Sequence, residues 1–229
     1  VAKPVLTPKE IESVQVDIGD DTSVNYHITQ LKTTMNNASP EYLQSLASLI
    51  HQQDRDWVDQ FVKNGGIKLL GEILNKNEAS FKTAKQNTIQ EYCIACLKAI
   101  ADSDVYYGFI KNSKTVSSVA LLLDIKLRSA SHYTIKSKIC ELLALICTVS
   151  EDGFWCALDA MTAYKNTKKE AARFSDLVAS LSSQFRSDAK VATAIGQIPL
   201  ELKQDTQGYA LLFINALINS AKDPETRAF

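Results

Sequence analysis

Phe61-Val62-Lys63-Asn64 and Phe109-Ile110-Lys111-Asn112 match at an offset of 48 residues. Each tetrapeptide closes an amphipathic run, meets a break, and leads into an apolar run that ends in Ile73-Leu74 or Leu122-Leu123. The longer helical runs that follow repeat as well. Cys93, Cys96, Leu97 and Ile100 stand at i, i+3, i+4 and i+7; Cys140, Leu143, Ala144 and Cys147 do so 47 residues later, and Ala210, Phe213, Ile214 and Leu217 do so again near the end. The same alignment puts Ser103, Ser150 and Ser220 at equivalent helix ends. A chain with such a period is built from units that bury their apolar stripes against their neighbours. The first break, Gly65-Gly66, reads as a sharp corner between two helices of one unit, where glycine supplies the left-handed backbone that the corner needs.

Repeats of about 40–47 residues with two or three helices are the mark of armadillo or HEAT solenoids. The prolines agree. They are Pro4, Pro8, Pro40, Pro199 and Pro224, so none falls between residues 41 and 198. Proline inside a helix costs about 3 kcal/mol, and a long proline-free stretch with helical periodicity reads as all-α. Strand alternation is confined to Val-Gln-Val-Asp-Ile at 14–18. Helices are predicted at 8–14, 23–35, 40–51, 54–63, 66–76, 86–102, 104–112, 115–124, 133–149, 151–165, 170–184 and 188–221, the last bent or broken at Gly196, Pro199 and Gly208. Thr7-Pro8-Lys9-Glu10 has the form of a capping box, and Ser39-Pro40 repeats its cap-then-proline order. Residues 19–21 and 75–87 read as loops, and the stretch from Pro224 as a frayed end or a junction. Glu141 to Val149 is apolar nearly all round, as suits a helix in the middle of a stack. The fold expected is an all-α, armadillo-like right-handed solenoid, 46–229, preceded by a short helical segment, 1–45.

Net charge is −1, with no long block of one sign, so the chain lacks the basic face that nucleic acid or an anionic membrane would require. No apolar run approaches the roughly 20 residues of a membrane span. Cys93, Cys96, Cys140 and Cys147 lie in helix-periodic apolar runs, which suits reduced core thiols of a cytosolic protein. Cys93-x-x-Cys96 has no second pair or histidine cluster to complete a structural zinc site, and no metal is expected. The histidines, His27, His51 and His132, are dispersed, and no G-x-S-x-G, phosphate-cradling glycine loop or H-E-x-x-H appears. An enzyme is therefore not expected. The chain starts at Val1 and is read as a piece of a longer protein.

Four stretches occur in a telling order: "DWVDQFVKNGGIKLLGEIL" from Asp56, "CLKAIADSD" from Cys96, "ELLALICTV" from Glu141 and "LLFINALINSAKDPETR" from Leu211. Together they resemble the regulatory N-terminal half of diaphanous-related formins, over about residues 23 to 229. The Ile-Asn-Ala-Leu-Ile run with the following Arg227 is the most specific piece, and the Trp57-x-x-x-Phe61 pair is next. The resemblance implies a binding module with no cofactor of its own. An active Rho-type GTPase, carrying its own GTP and Mg, would dock on the N-terminal helices and first repeat. A C-terminal autoregulatory helix of the same formin would dock further along, and GTPase binding would displace it to free an actin-assembling half that this chain lacks. The setting implied is the cytoplasm and its cytoskeleton.

By position, the resemblance places the GTPase site on Ile28, Leu31 and Met35, an apolar i, i+3, i+7 stripe, and on the corner residues His51, Gln52 and Gln53, with Asn64. Ile28 and Leu31 equally suit a role capping the solenoid core, whereas two amides at a tight corner have no core role. The autoregulatory groove falls on Lys98 and Asp102 of one repeat and Leu142, Leu145 and Thr148 of the next. Here the chain departs from the family: many members have alanine at the place of Leu145, an aliphatic residue at that of Thr148 and asparagine at that of Asp102. Leu142 and Leu145 also suit ordinary core. The alternative is a general armadillo adaptor that holds an extended peptide. Such adaptors use regularly spaced groove tryptophans, and Trp57 and Trp155 form no such ladder.

Overall fold

The computed structural model describes residues 22–78, 84–124, 130–182 and 200–221. Among these residues regular structure is helical throughout. The helices are α1 (Val24–Thr34), α2 (Pro40–Gln52), α3 (Arg55–Lys63), α4 (Gly66–Glu78), α5 (Ala84–Asp102), α6 (Tyr107–Lys111), α7 (Ser113–Leu121), α8 (Ala130–Val149), α9 (Glu151–Lys168), α10 (Ser175–Ser182) and α11 (Leu200–Ser220), with a 3-10 turn at Leu122–Asp124 after α7. They stack in two rows. In one, α2 packs on α5, α5 on α8 and α8 on α11; in the other, α4 packs on α7 and α7 on α9. The all-α solenoid expected from the repeat is the fold observed. A division at residue 45 would cut through α2, which is continuous from Pro40 to Gln52.

Helix starts are written locally. The side chains of Ser23, Ser39, Asp54 and Ser150 each accept a hydrogen bond from the backbone N–H three residues on, satisfying one of the orphan donors of α1, α2, α3 and α9. At the first corner Asn64 N–H donates to the Gln60 carbonyl and Gly65 N–H to that of Val62. Gly65 has φ +93°, and Gly66 has no room for a side chain: a Cβ there would lie 2.1 Å from Phe61 Cε1. One glycine supplies conformation and the other supplies space. The second corner is one residue shorter and uses no left-handed residue. Asn112 takes φ −114°, ψ 44°, its N–H donates to Gly108 and Phe109, and its side-chain Nδ2 donates to the Gly108 carbonyl at 2.7 Å. The units approach closely at Gly108, where a Cβ would lie 2.4 Å from Val62 Cγ1.

The third unit differs. A single 18-residue helix, α9, replaces the short helix, corner and second helix of the first two. The predicted helix at 170–184 is shorter, Ser175–Ser182. The last helix runs unbroken through Gly208, which is exposed and has nothing within 4 Å of its Cβ position, so this glycine is tolerated rather than required. The predicted 75–87 loop also shrinks, because α4 continues to Glu78 and α5 starts at Ala84. The expectations for 8–14, the alternation at 14–18, the Thr7-Pro8 cap, residues 19–21, Gly196, Pro199 and the stretch from Pro224 fall outside the described residues.

The repeated stripes form the core. Cys93, Cys96, Leu97, Ile100, Cys140, Leu143, Ala144, Cys147, Ala210, Phe213 and Leu217 are all buried. Cys96 Sγ donates to the Leu43 carbonyl at 3.4 Å, and all five cysteines are free and buried. Burial pushes the Cys140 thiol up to about 12 and the Cys156 thiol to about 11, and raises Cys93 well above its ordinary value. Thiols held protonated in a core are inert packing groups.

Candidate functional site

The amphipathic helix α1 lies against α3 and α4. Val24, His27, Ile28 and Leu31 form its buried face. Trp57 fastens it. Its indole stacks on Phe61 with ring centroids 5.5 Å apart, meets the His27 ring edge-on at 6.0 Å, and donates from Nε1 to the Thr22 carbonyl at 2.8 Å. His27 is held from the other side by Tyr42, whose hydroxyl lies 3.1 Å from Nδ1. Burial pushes the Tyr42 phenol far above its ordinary value, so it keeps its proton. This geometry decides between the two roles open to Ile28 and Leu31 in favour of the core. Ile28 and Leu31, 5 % and 0 % exposed, seat α1 on the first repeat and offer no apolar stripe to a partner. Met35 is half-buried against that core and lines a cavity of about 330 Å³ with Asn36, Asn37, Lys76, Lys85 and Ile89. The outward surface of α1 is polar: Asn25, Thr29, Lys32 and Thr33.

The corner residues do face outward. His51 and Gln52 are exposed and Gln53 is half-exposed, between the end of α2 and the Asp54 cap of α3. Asn64 stands at the far end of α3, roughly 13 Å away by helix rise. It is exposed, with its Nδ2 3.5 Å from Asn25 Oδ1 of α1. Glutamine and asparagine side chains each carry donors and an acceptor and can pair with backbone of either polarity. Between them Asp59 joins Lys63 of its own helix at 2.5 Å and accepts from the Tyr107 hydroxyl of the next unit at 2.8 Å. The Lys63 bond, then the Tyr107 bond, hold Asp59 below the usual carboxylate range. The face is thus polar, amide-rich and backed by a stack that sets its shape.

The second predicted site lies between α5 and α8. Lys98 is bonded to Asp102 at 2.9 Å and to Glu141 of α8 at 3.3 Å, and Lys138 reaches back to Glu91 at 3.2 Å. Partial burial opposes the Lys98 charge, but the two carboxylates outweigh it and raise its pKa. Leu142 is buried in the core and is not on this surface. Leu145 is half-buried, and Thr148 is exposed with its hydroxyl donating to the Leu145 carbonyl at 3.0 Å. Glu141, missed from sequence, lines the surface: the 47-residue period sets Lys98 beside Leu145 and so one turn from Glu141.

Comparisons with known proteins bear on the family of the chain. The family described as Diaphanous GTPase-binding Domain matches residues 8–148. Inverted formin-2 of Xenopus tropicalis is 26 % identical over 186 residues, covering 80 % of this chain and 13 % of that protein. Formin-F of Dictyostelium discoideum is 26 % identical over 187 residues, 82 % of this chain and 14 % of its own length. Formin-D of the same organism is 27 % identical over 208 residues, 90 % of this chain and 15 % of its own. The chain therefore spans a small fraction of the curated relatives it matches. No solved structure matches it, and no helix among the described residues is long and apolar enough to cross a membrane. With its paired corners, two helix rows and N-terminal helix locked by Trp57, the chain belongs to the diaphanous GTPase-binding domain family and is a GTPase-binding regulatory region of the formin kind.

Proposed function

We propose that this region binds a Rho-family GTPase in its GTP state through the polar surface of α1 and the His51-Gln52-Gln53 corner, with Asn64 at its edge. The observation that carries the reading is the exposure of these amides beside a helix whose apolar side is already spent on the first repeat. GTP and Mg would come with the partner. Rho-family proteins loaded with a GTP analogue or with GDP should separate in a pull-down, the first retained and the second lost. Gln52→Asp with Gln53→Asp is expected to weaken binding by about 2 kcal/mol or more, the scale of an interface hot spot, with an unchanged melting curve. A folded double variant of unaltered affinity would remove the corner from the site.

The α5–α8 surface is proposed as the seat of a formin autoregulatory helix, so that GTPase binding releases inhibition of actin assembly carried out elsewhere in a cytoskeletal formin. Leu145 occupies space that an incoming helix would use. Leu145→Ala is therefore expected to tighten a family autoregulatory peptide by about tenfold, or 1.4 kcal/mol. Thr148→Ile should add little, since the Thr148 hydroxyl already has a partner. Calorimetry showing submicromolar binding by the wild type and no gain in Leu145→Ala would reject this placement.

A further inference from the structure

We propose that the outer face of α9, centred on Trp155, docks an arginine- or lysine-bearing segment of a partner protein. Gly153, Phe154, Cys156, Ala157, Leu158, Ala160, Met161 and Tyr164 turn inward. Asp152, Trp155 and Asp159, at i, i+3 and i+7, are left exposed on one outward stripe.

Trp155 is 42 % exposed and is the one aromatic among the exposed large hydrophobic residues described. Single exposed apolar residues are ordinary on soluble surfaces; three features set this one apart. Its ring rests edge-on against buried Phe154, with centroids 5.1 Å apart, which restrains it before any partner arrives. A carboxylate stands about one turn to either side, and neither Asp152 nor Asp159 has an ion pair among the described residues. Asp152 lies in the first turn, where the helix dipole favours it, but Asp159 has no such role. The described exposed positions of α4 and α7, the preceding helices of the same row, are Lys68, Asn75, Lys76, Ser113 and Lys114, with no carboxylate among them. An indole face flanked by two unpaired carboxylates fits a cation. A guanidinium stacks on the ring while its N–H groups reach the carboxylates, and tryptophan is enriched at the centres of such contacts.

The test uses the whole chain and a hexa-arginine peptide, with hexa-glutamate as control. The chain has two tryptophans, so nitrogen-15 NMR gives two indole N–H signals. Hexa-arginine should shift the Trp155 signal and leave that of Trp57, bonded to Thr22, in place. Trp155→Ala should weaken the peptide at least tenfold, and Asp152→Asn with Asp159→Asn at least fivefold at low salt, both with the wild-type melting curve. An unmoved Trp155 signal, an equal shift with hexa-glutamate, or unchanged affinity in both variants would overturn the proposal. So would a wild-type dimer in sedimentation that Trp155→Ala converts to monomer, because a second copy would then own the face.

Discussion

Trp57→Ala is expected to loosen α1 from the solenoid and to destabilise the chain by about 3 kcal/mol, near the low end for losing a large aromatic. The change removes the stack on Phe61, the edge contact to His27 and the bond to the Thr22 carbonyl together. For a domain of this size that is a fall in melting temperature of roughly 6–12 °C. Trp57→Phe keeps a ring over Phe61 and loses only the hydrogen bond, so about 1 kcal/mol is expected. In limited proteolysis the alanine variant should be cut near α1 while α5 and α8 resist. A Trp57→Ala protein that melts within a degree of wild type would show that the indole is not the fastening.

Gly66→Ala is the second large effect. Its Cβ would meet Phe61 Cε1 at 2.1 Å, and that ring is fully buried and stacked on Trp57. Neither partner can yield cheaply, so a loss of about 3 kcal/mol is expected, the upper range for overpacking. Gly65→Ala meets no atom within 4 Å and suffers only its positive φ, about 1 kcal/mol. Denaturant titration should rank the two in that order. Phe61→Leu combined with Gly66→Ala should cost less than the sum of the single changes, because the smaller side chain vacates the space the methyl needs. Equal effects of the two glycine variants would contradict the division of labour between them.

These two residues also show how far the sequence could be read. A repeated Phe-x-Lys-Asn before a break identified the corner, because short-range rules for helix ends and left-handed backbone act within a few residues. The function of each glycine was not separable, since the ring that excludes a Cβ at Gly66 is positioned by Trp57 and the fold. The apolar stripe of α1 was legible as a stripe, but periodicity does not say what covers it. Ile28 and Leu31 proved to face the first repeat, and the surface left outward is polar. Likewise Leu142 belongs to the core while Glu141 holds Lys98, a cross-helix pairing visible only once the repeat is folded back on itself. Gln52, Gln53 and Asn64 stand outward because corners have no core to enter.

The bonds between units have a mechanical consequence. Asp59 meets Tyr107 48 residues away, Glu91 meets Lys138 at 47, and Cys156 Sγ reaches the Phe109 carbonyl at 47. Helix packings in both rows likewise run between successive units. A tensile load on the two ends of the chain would meet these links one unit at a time, never all at once. Under force the region should come apart in steps, as a zip opens, with Thr206 and its bond to Ser137 among the teeth at one end and Trp57 at the other.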